Sequence, residues 1–435
     1  MRFFNTQTSN LYQRLSDIQA HNVLLSLGII LQIEHYSKQL GVGLIILWLS
    51  IIFLAQITQA KSTANKNAGT LYAALLGLLL IQTRAILNIE DEFGFTQYFL
   101  IALGIAAAAS LTLQQQKRLL QWVGGTSVPL LILYILQHFS IHSTYLYGFN
   151  STLTSVSQAF SNIPELRSYL QETVFSFLAI SGLITGRISK SWAEKLICYS
   201  SGACGLILCL ILESRMAIIA PLISLLIGIA ISHTSVLKRF SAKTKIAIVS
   251  SFLASILAIT YTVVIAPDMK LIPGVPLASD RGRVNVALCW ANSMLAGDNR
   301  FIYGSGHSKE FIMKRCTDRK VGNFWNAAPN TNSTAGHAHN VFAHIMGLHG
   351  LLGIISLAIL GCVYFKGLIY FANQERIFDY LPLSYAPWSE SIITMGLFMF
   401  ICSMSTTFFV YNHTLQVIIG IGLGMPLARI KGLEE

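Results

Sequence analysis

Three short stretches of the chain carry side chains able to do acid, base or anion-binding work. Gly336-His337-Ala338-His339-Asn340 sets two imidazoles two residues apart, directly before a long apolar run. A histidine exchanges its proton near neutral pH, which suits it to accept one from an attacking hydroxyl. The same pair, with His344 close behind, also reads as a set of backbone-bonded histidines or a metal site, but the Cys or carboxylate ligands usual at set spacing are missing. Glu213-Ser214-Arg215 separates two apolar runs. An arginine at membrane depth is a candidate functional group by default, although it also has the option of snorkelling to the interface or pairing with Glu213. Asp280-Arg281-Gly282-Arg283 puts two guanidiniums beside a glycine. Their planar forks match phosphate oxygens, while the plainer reading is a solvated loop in which Asp280 neutralises one of the pair.

The elements that must hold these residues follow from hydropathy. Of 435 residues, 53% are hydrophobic and 11% charged, and the mean hydropathy is +0.59. A soluble domain carries about 25% charged residues, so the chain lacks the charge to cover a globular surface in water. Apolar runs recur from residue 20 to residue 428, and a membrane span needs about 20 mostly apolar residues. Twelve spans fit: 20–36, 41–58, 70–86, 95–113, 119–140, 171–186, 196–212, 216–232, 246–266, 341–364, 389–406 and 413–428. The expected fold is an all-α polytopic membrane protein.

The net charge of +11 is then a matter of orientation. With the N-terminus inside, the inner segments collect basic residues such as Lys61, Lys66, Lys117, Arg118, Arg187, Lys190, Lys195, Lys238 and Arg239, whereas the short outer segments hold only Lys38, Arg167 and Arg215. Lys and Arg concentrate in short cytoplasmic loops, so both termini are expected in the cytoplasm, with an uncleaved first span. No basic-aromatic interleaving or nucleic-acid motif appears. Walker, dinucleotide, GxSxG and HExxH patterns are absent as well.

Residues 267–340 break the pattern as a long polar outer segment, and long connections are usually functional. The expected organisation is therefore nine spans in 1–266, an outer loop in 267–340 and three spans in 341–435. The loop carries nine basic and five acidic residues, an excess that invites an anionic partner. Within it, 284–296 has helix-like apolar spacing, with Val284, Ala287, Leu288, Ala291 and Leu295 on one face. An interfacial helix across the mouth of the bundle is expected there. Cys289 and Cys316 are the only cysteines of the loop and are candidates for a disulfide in an oxidising compartment, two free thiols being the alternative.

Taken together, these residues resemble the O-antigen ligase family and the related O-antigen polymerases and bacterial protein O-oligosaccharyltransferases. The most specific likeness is His339-Asn340, nine further residues, then Gly350-Leu351-Leu352-Gly353. Glu213-Ser214-Arg215-Met216-Ala217 is similar to the family's membrane-edge arginine, and Gly282-Arg283 followed by Phe301-Ile302-Tyr303-Gly304 to its outer-loop segment. Arg281 departs from the pattern, leaving open which of the pair aims inward.

The resemblance implies a GT-C-like glycosyltransferase of the bacterial inner membrane, facing the periplasm and needing no metal or other cofactor. The donor it implies is undecaprenyl pyrophosphate-linked O-antigen, and the acceptor is a sugar hydroxyl of the lipid A-core in lipopolysaccharide biosynthesis. His339 is then the base, Arg215 and Arg283 the stabilisers of the leaving pyrophosphate, and Arg281, His337 and Asn340 further substrate-binding residues. Polymerase and protein-glycosylating readings share this chemistry and differ in acceptor. A lipid-linked oligosaccharide flippase, the non-enzyme alternative, needs charges through the bundle interior, whereas these candidates cluster outside.

Overall fold

A computed structural model describes residues 20–31, 38–59, 68–81, 92–135, 172–211, 215–233, 287, 289–291, 293–295, 300–305, 340–378, 386–405 and 413–427. Among them the backbone is helical almost throughout and no β-strand occurs. The helices are α1 (Ala20–Leu31), α2 (Lys38–Gln59), α3 (Ala68–Ile81), α4 (Glu92–Ser110), α5 (Leu113–Gly125), α6 (Glu172–Ile188), α7 (Trp192–Ile211), α8 (Arg215–His233), the short α9 (Arg300–Tyr303), α10 (Val341–Phe378), α11 (Ala386–Ser405) and α12 (His413–Gly424). A 3-10 turn, Met425–Leu427, follows α12. Among the described residues, three stretches are long and apolar enough to cross a membrane: Leu113–Ile135, Trp192–Leu210 and Val341–Tyr370. The span expected at 246–266 lies outside the described residues.

One expected break falls elsewhere. The polar run Gln114–Arg118 reads as an inner loop in the sequence, yet it is the first turn of α5. Thr112 explains this: its hydroxyl accepts from the Gln115 N–H, and the Gln115 side chain accepts from the Thr112 N–H at 2.9 Å. Two orphan donors are thereby satisfied and the helix starts at Leu113. Gln116 then turns back to donate to the Ala108 carbonyl at 2.9 Å. Only two residues separate α4 from α5, and the charged pair Lys117-Arg118 rides on a helix.

Lys117 is buried as a result, and a buried ammonium persists only when paired. Its Nζ lies 2.6 Å from Glu194 at the start of α7, and Gln121 donates to the same carboxylate. Arg187, at the end of α6, grips Glu390 near the start of α11 through two nitrogens, at 2.9 and 3.2 Å. Both ion pairs therefore tie together helix ends that the charge count places on one side. At the other end, Ser176 of α6 donates to the Ala217 carbonyl, fixing the beginning of α8. In the interior, α4 and α12 touch backbone to backbone: a Cβ on Gly104 would sit 2.4 Å from the Val417 carbonyl oxygen, and one on Gly420 would sit 2.3 Å from that of Ile101. Small residues let apolar helices approach closely where lipid supplies no hydrophobic drive.

Candidate functional site

Asn340 stands immediately outside α10 and caps it. Its side-chain oxygen accepts from the Ala343 N–H at 3.0 Å, and its carbonyl accepts from the His344 N–H at 3.0 Å. The helix so begun runs only as far as His349 before breaking at Gly350, whose φ of 57° and ψ of −142° lie outside the helical region. Residues 341–349 are thus a separate short half-helix that begins at the Asn340 cap.

The break is occupied from outside. After α9 the chain turns at Gly304, with φ of 70°, and the Gly304 N–H closes on the Arg300 carbonyl at 2.7 Å. Ser305 then donates its N–H to the Gly347 carbonyl at 2.9 Å. A side chain has no room at either glycine: a Cβ on Gly304 would lie 2.2 Å from the Leu348 carbonyl carbon, and one on Gly350 would lie 2.6 Å from the Gly304 nitrogen. Both positions also have positive φ, which costs an L-residue energy before any clash is counted. Glycine is required twice because a loop backbone crosses a helix backbone here.

A second loop element supports the same half-helix. Ala287, Cys289, Trp290, Ala291 and Ser293 are helical, in line with the helix expected over 284–296, but the buried face differs from the expected one. Leu295 is 64% exposed, whereas Cys289, Trp290, Ser293 and Met294 are buried. The reason is Trp290, which is wholly buried, stacks on the His344 ring at 4.7 Å between centroids and 24° between planes, and lays its carbonyl against Gly347. Of the expected face, Ala287 and Ala291 are half-buried and Leu295 is exposed, while Val284 and Leu288 lie outside the described residues. Ser293 donates to the Trp290 carbonyl at 2.6 Å. On the far side, the His349 Nε2 is hydrogen-bonded to the Tyr98 hydroxyl of α4 at 2.8 Å, both groups being buried. The half-helix is therefore gripped by two loop segments and by α4.

The expected site residues divide as follows. Arg215 is the first residue of α8, with its side chain outside the described residues. His337, His339, Arg281, Arg283 and Cys316 also lie outside them. Asn340 acts as a helix cap in the geometry seen, and Cys289 is buried and disulfide-bonded. His344 is buried in a stack on Trp290. Among the described residues, no group of three or more His, Cys, Asp or Glu is placed to hold a metal ion. Phe301–Gly304 and Gly350, which belong to two separate stretches of the family likeness, are brought into contact.

Trp290, Tyr98, His349 and the carbonyl of Gly347 escape a reading of the sequence. Only His349 gave a signal, as a polar residue inside an apolar run directly before a glycine. No protein family profile matches the chain, and no curated protein is significantly similar to it.

Proposed function

We propose that the protein is an O-antigen ligase: an inverting glycosyltransferase that moves a glycan from undecaprenyl pyrophosphate to a sugar hydroxyl of lipid A-core, at the periplasmic face of a twelve-span, GT-C-like bundle of the inner membrane. The observation that carries this reading is the seat of α9 and Gly304 on the break at Gly350. Two stretches that the family likeness treats as separate signatures meet there, on the short helix whose first turn follows His339 directly.

The chemistry assigned to the site is metal-independent. The acceptor hydroxyl attacks the anomeric carbon, the bond from that carbon to the pyrophosphate oxygen breaks, and the hydroxyl proton passes to His339. Arg215 and Arg283 balance the charge that gathers on the departing pyrophosphate, a task suited to preorganised guanidiniums at a membrane edge. The polyprenyl tail stays in lipid while its pyrophosphate sits at the surface, so cations are needed at that depth, beside a loop able to keep water out.

The deciding experiment offers the purified protein a lipid-linked glycan together with lipid A-core, a second lipid-linked glycan or a protein. Product on lipid A-core is expected. Product only on the second glycan or on protein would reassign the acceptor, and absence of transfer to all three would remove the enzymatic reading.

A further inference from the structure

We infer that α11 ties the short helix that follows His339 to the helix that begins with Arg215, and that Phe400 is the positioning residue of this tie for the transfer reaction, an inference that rests on the function proposed above. The chain bends sharply at Gly350. A Cβ on Gly353 would lie 3.0 Å from the carbonyl oxygen of Ile345, whereas an unbroken helix keeps two such residues about 12 Å apart along its axis. The helix 341–349 therefore leaves the line of the longer arm. Two contacts with α11 show where it turns. Tyr364 of the arm donates to the Ile392 carbonyl at 2.6 Å, and Phe342 meets Phe400 with ring centroids 5.9 Å apart and planes at 57°. Ile392 and Phe400 are about 12 Å apart along α11, while on an unbroken α10 Phe342 would stand about 33 Å beyond Tyr364. The bend brings the start of the short helix back on to α11.

The same turn of α11 leads to Arg215. Phe398, two residues before Phe400, packs on Phe177 of α6 with ring centroids 6.1 Å apart and planes at 63°. Ser176, next to Phe177, donates to the Ala217 carbonyl in the first turn of α8, and Arg215 opens that turn. On the other side, Phe342 lies in the turn that Asn340 caps, three residues after His339. Phe342 to Phe400, Phe398 to Phe177 and Ser176 to Ala217 are thus three direct contacts that join the two starts through α11 and α6. They are not equally firm. Ser176, Phe177 and Phe398 are buried, whereas Phe342 and Phe400 are half-buried, so the contact of Phe342 with Phe400 is the one that sets how the short helix sits on a fixed core. A base and a leaving-group cation act on one anomeric carbon only while their separation holds to within about 0.5 Å. A ring on a rigid helix, wedged against the first turn of the moving piece, supplies that spacing without touching substrate.

The test measures spacing and turnover side by side. Nitroxide labels on keto-bearing residues introduced at the half-buried Met346 and at Ile219, 42% exposed in α8, report the distance between the two helices by double electron–electron resonance without disturbing any cysteine. Phe400→Leu should broaden that distance distribution and, in the unlabelled protein, lower kcat by about 10- to 100-fold with the KM for lipid-linked donor little changed. Phe400→Tyr, which keeps the ring, should restore both. Should Phe400→Leu not fold, Phe342→Leu opens the same contact from the other helix and takes its place. An unchanged distribution on loss of the ring, a failure of Phe400→Tyr to restore it, or a broadened distribution with kcat unaltered would each overturn the inference. A parent protein that transfers no glycan would instead remove the function proposed above, and the distances would still decide whether α11 ties the two helices.

Discussion

His339 and His344 stand on either side of the Asn340 cap and are expected to fail in different ways when replaced. A general base contributes about 100- to 10,000-fold, so His339→Ala should lose transfer by that order while still binding donor, as read by single-turnover assays beside a donor-binding measurement. Loss of binding along with transfer would make it a pyrophosphate ligand instead. His344 is stacked on Trp290, and its contribution there is a flat ring. His344→Phe should therefore retain most of the protein's thermal stability and transfer rate, whereas His344→Ala leaves a hole under the indole and should cost about 2 kcal/mol or more. A Phe variant as damaged as the Ala variant would show that the imidazole nitrogens matter more than the stack. The sequence made His339 and Asn340 candidates through the spacing to Gly350. It said nothing of Trp290, because an indole inside a polar loop looks the same whether it faces water or a histidine from another element.

At the scale of elements, the crossing of Gly304 over the break at Gly350 fixes both the loop and the half-helix. Gly304→Ala meets the backbone of Leu348 and His349 and a positive φ at once, the latter alone worth roughly 1–2 kcal/mol. The expected outcome is faster amide exchange in residues 341–349 and slower transfer, with exchange elsewhere in α10 little changed. Uniform loosening of the whole helix would mean that the crossing is not a local clasp. Element positions were largely legible in hydropathy: α4, α6, α7, α8 and α11 lie within a few residues of the apolar runs expected for them. The starts and breaks were less so. The capping box at Thr112 drew a polar run into α5 against its composition, and the end of the short helix 341–349 depends on a loop backbone that no helical period reports. In the 287–295 segment the spacing passed over Trp290 and included the exposed Leu295 for a related reason, since apolar spacing counts residues and gives no extra weight to one tryptophan.

For the molecule as a whole, the two ion pairs, Lys117 with Glu194 and Arg187 with Glu390, clamp one end of the bundle across α5, α6, α7 and α11. Glu194→Gln leaves the Lys117 ammonium, 8% exposed, beside a neutral amide, while Glu194 itself is 33% exposed. Breaking a fully buried pair costs about 3–5 kcal/mol, and the partial exposure discounts this to roughly 2 kcal/mol. Thermal unfolding in detergent should record that loss, and a Lys117→Met, Glu194→Leu double variant should recover most of it. If the single variant is as stable as the parent, solvent already compensates the pair. Charge counting treated these basic residues as loop cations, since it does not see that a basic residue becomes a buried strut when an acidic one faces it.

The broken helix also sets a height. Val341–Phe378 spans 38 residues, about 57 Å at 1.5 Å per residue, nearly twice the roughly 30 Å of bilayer hydrocarbon. A straight rod of that length must lean to fit its surroundings, and a group at its tip would rise and fall with every change in lipid thickness. The joint at Gly350 separates two parts held by different neighbours: the longer arm packs on α3 where Ile359 meets Gly77, on α11 through the Tyr364 hydroxyl and on the turn after α12 at Gly367, while residues 341–349 are moored to Trp290, Ser305 and Tyr98. On the proposed reading, the end of α10 that follows His339 is then levelled by its neighbours within the protein instead of by the lipid around it. Transfer rates measured across phosphatidylcholine bilayers of increasing chain length should accordingly stay nearly flat, and a steep optimum at one thickness would show that the joint does not decouple the arms.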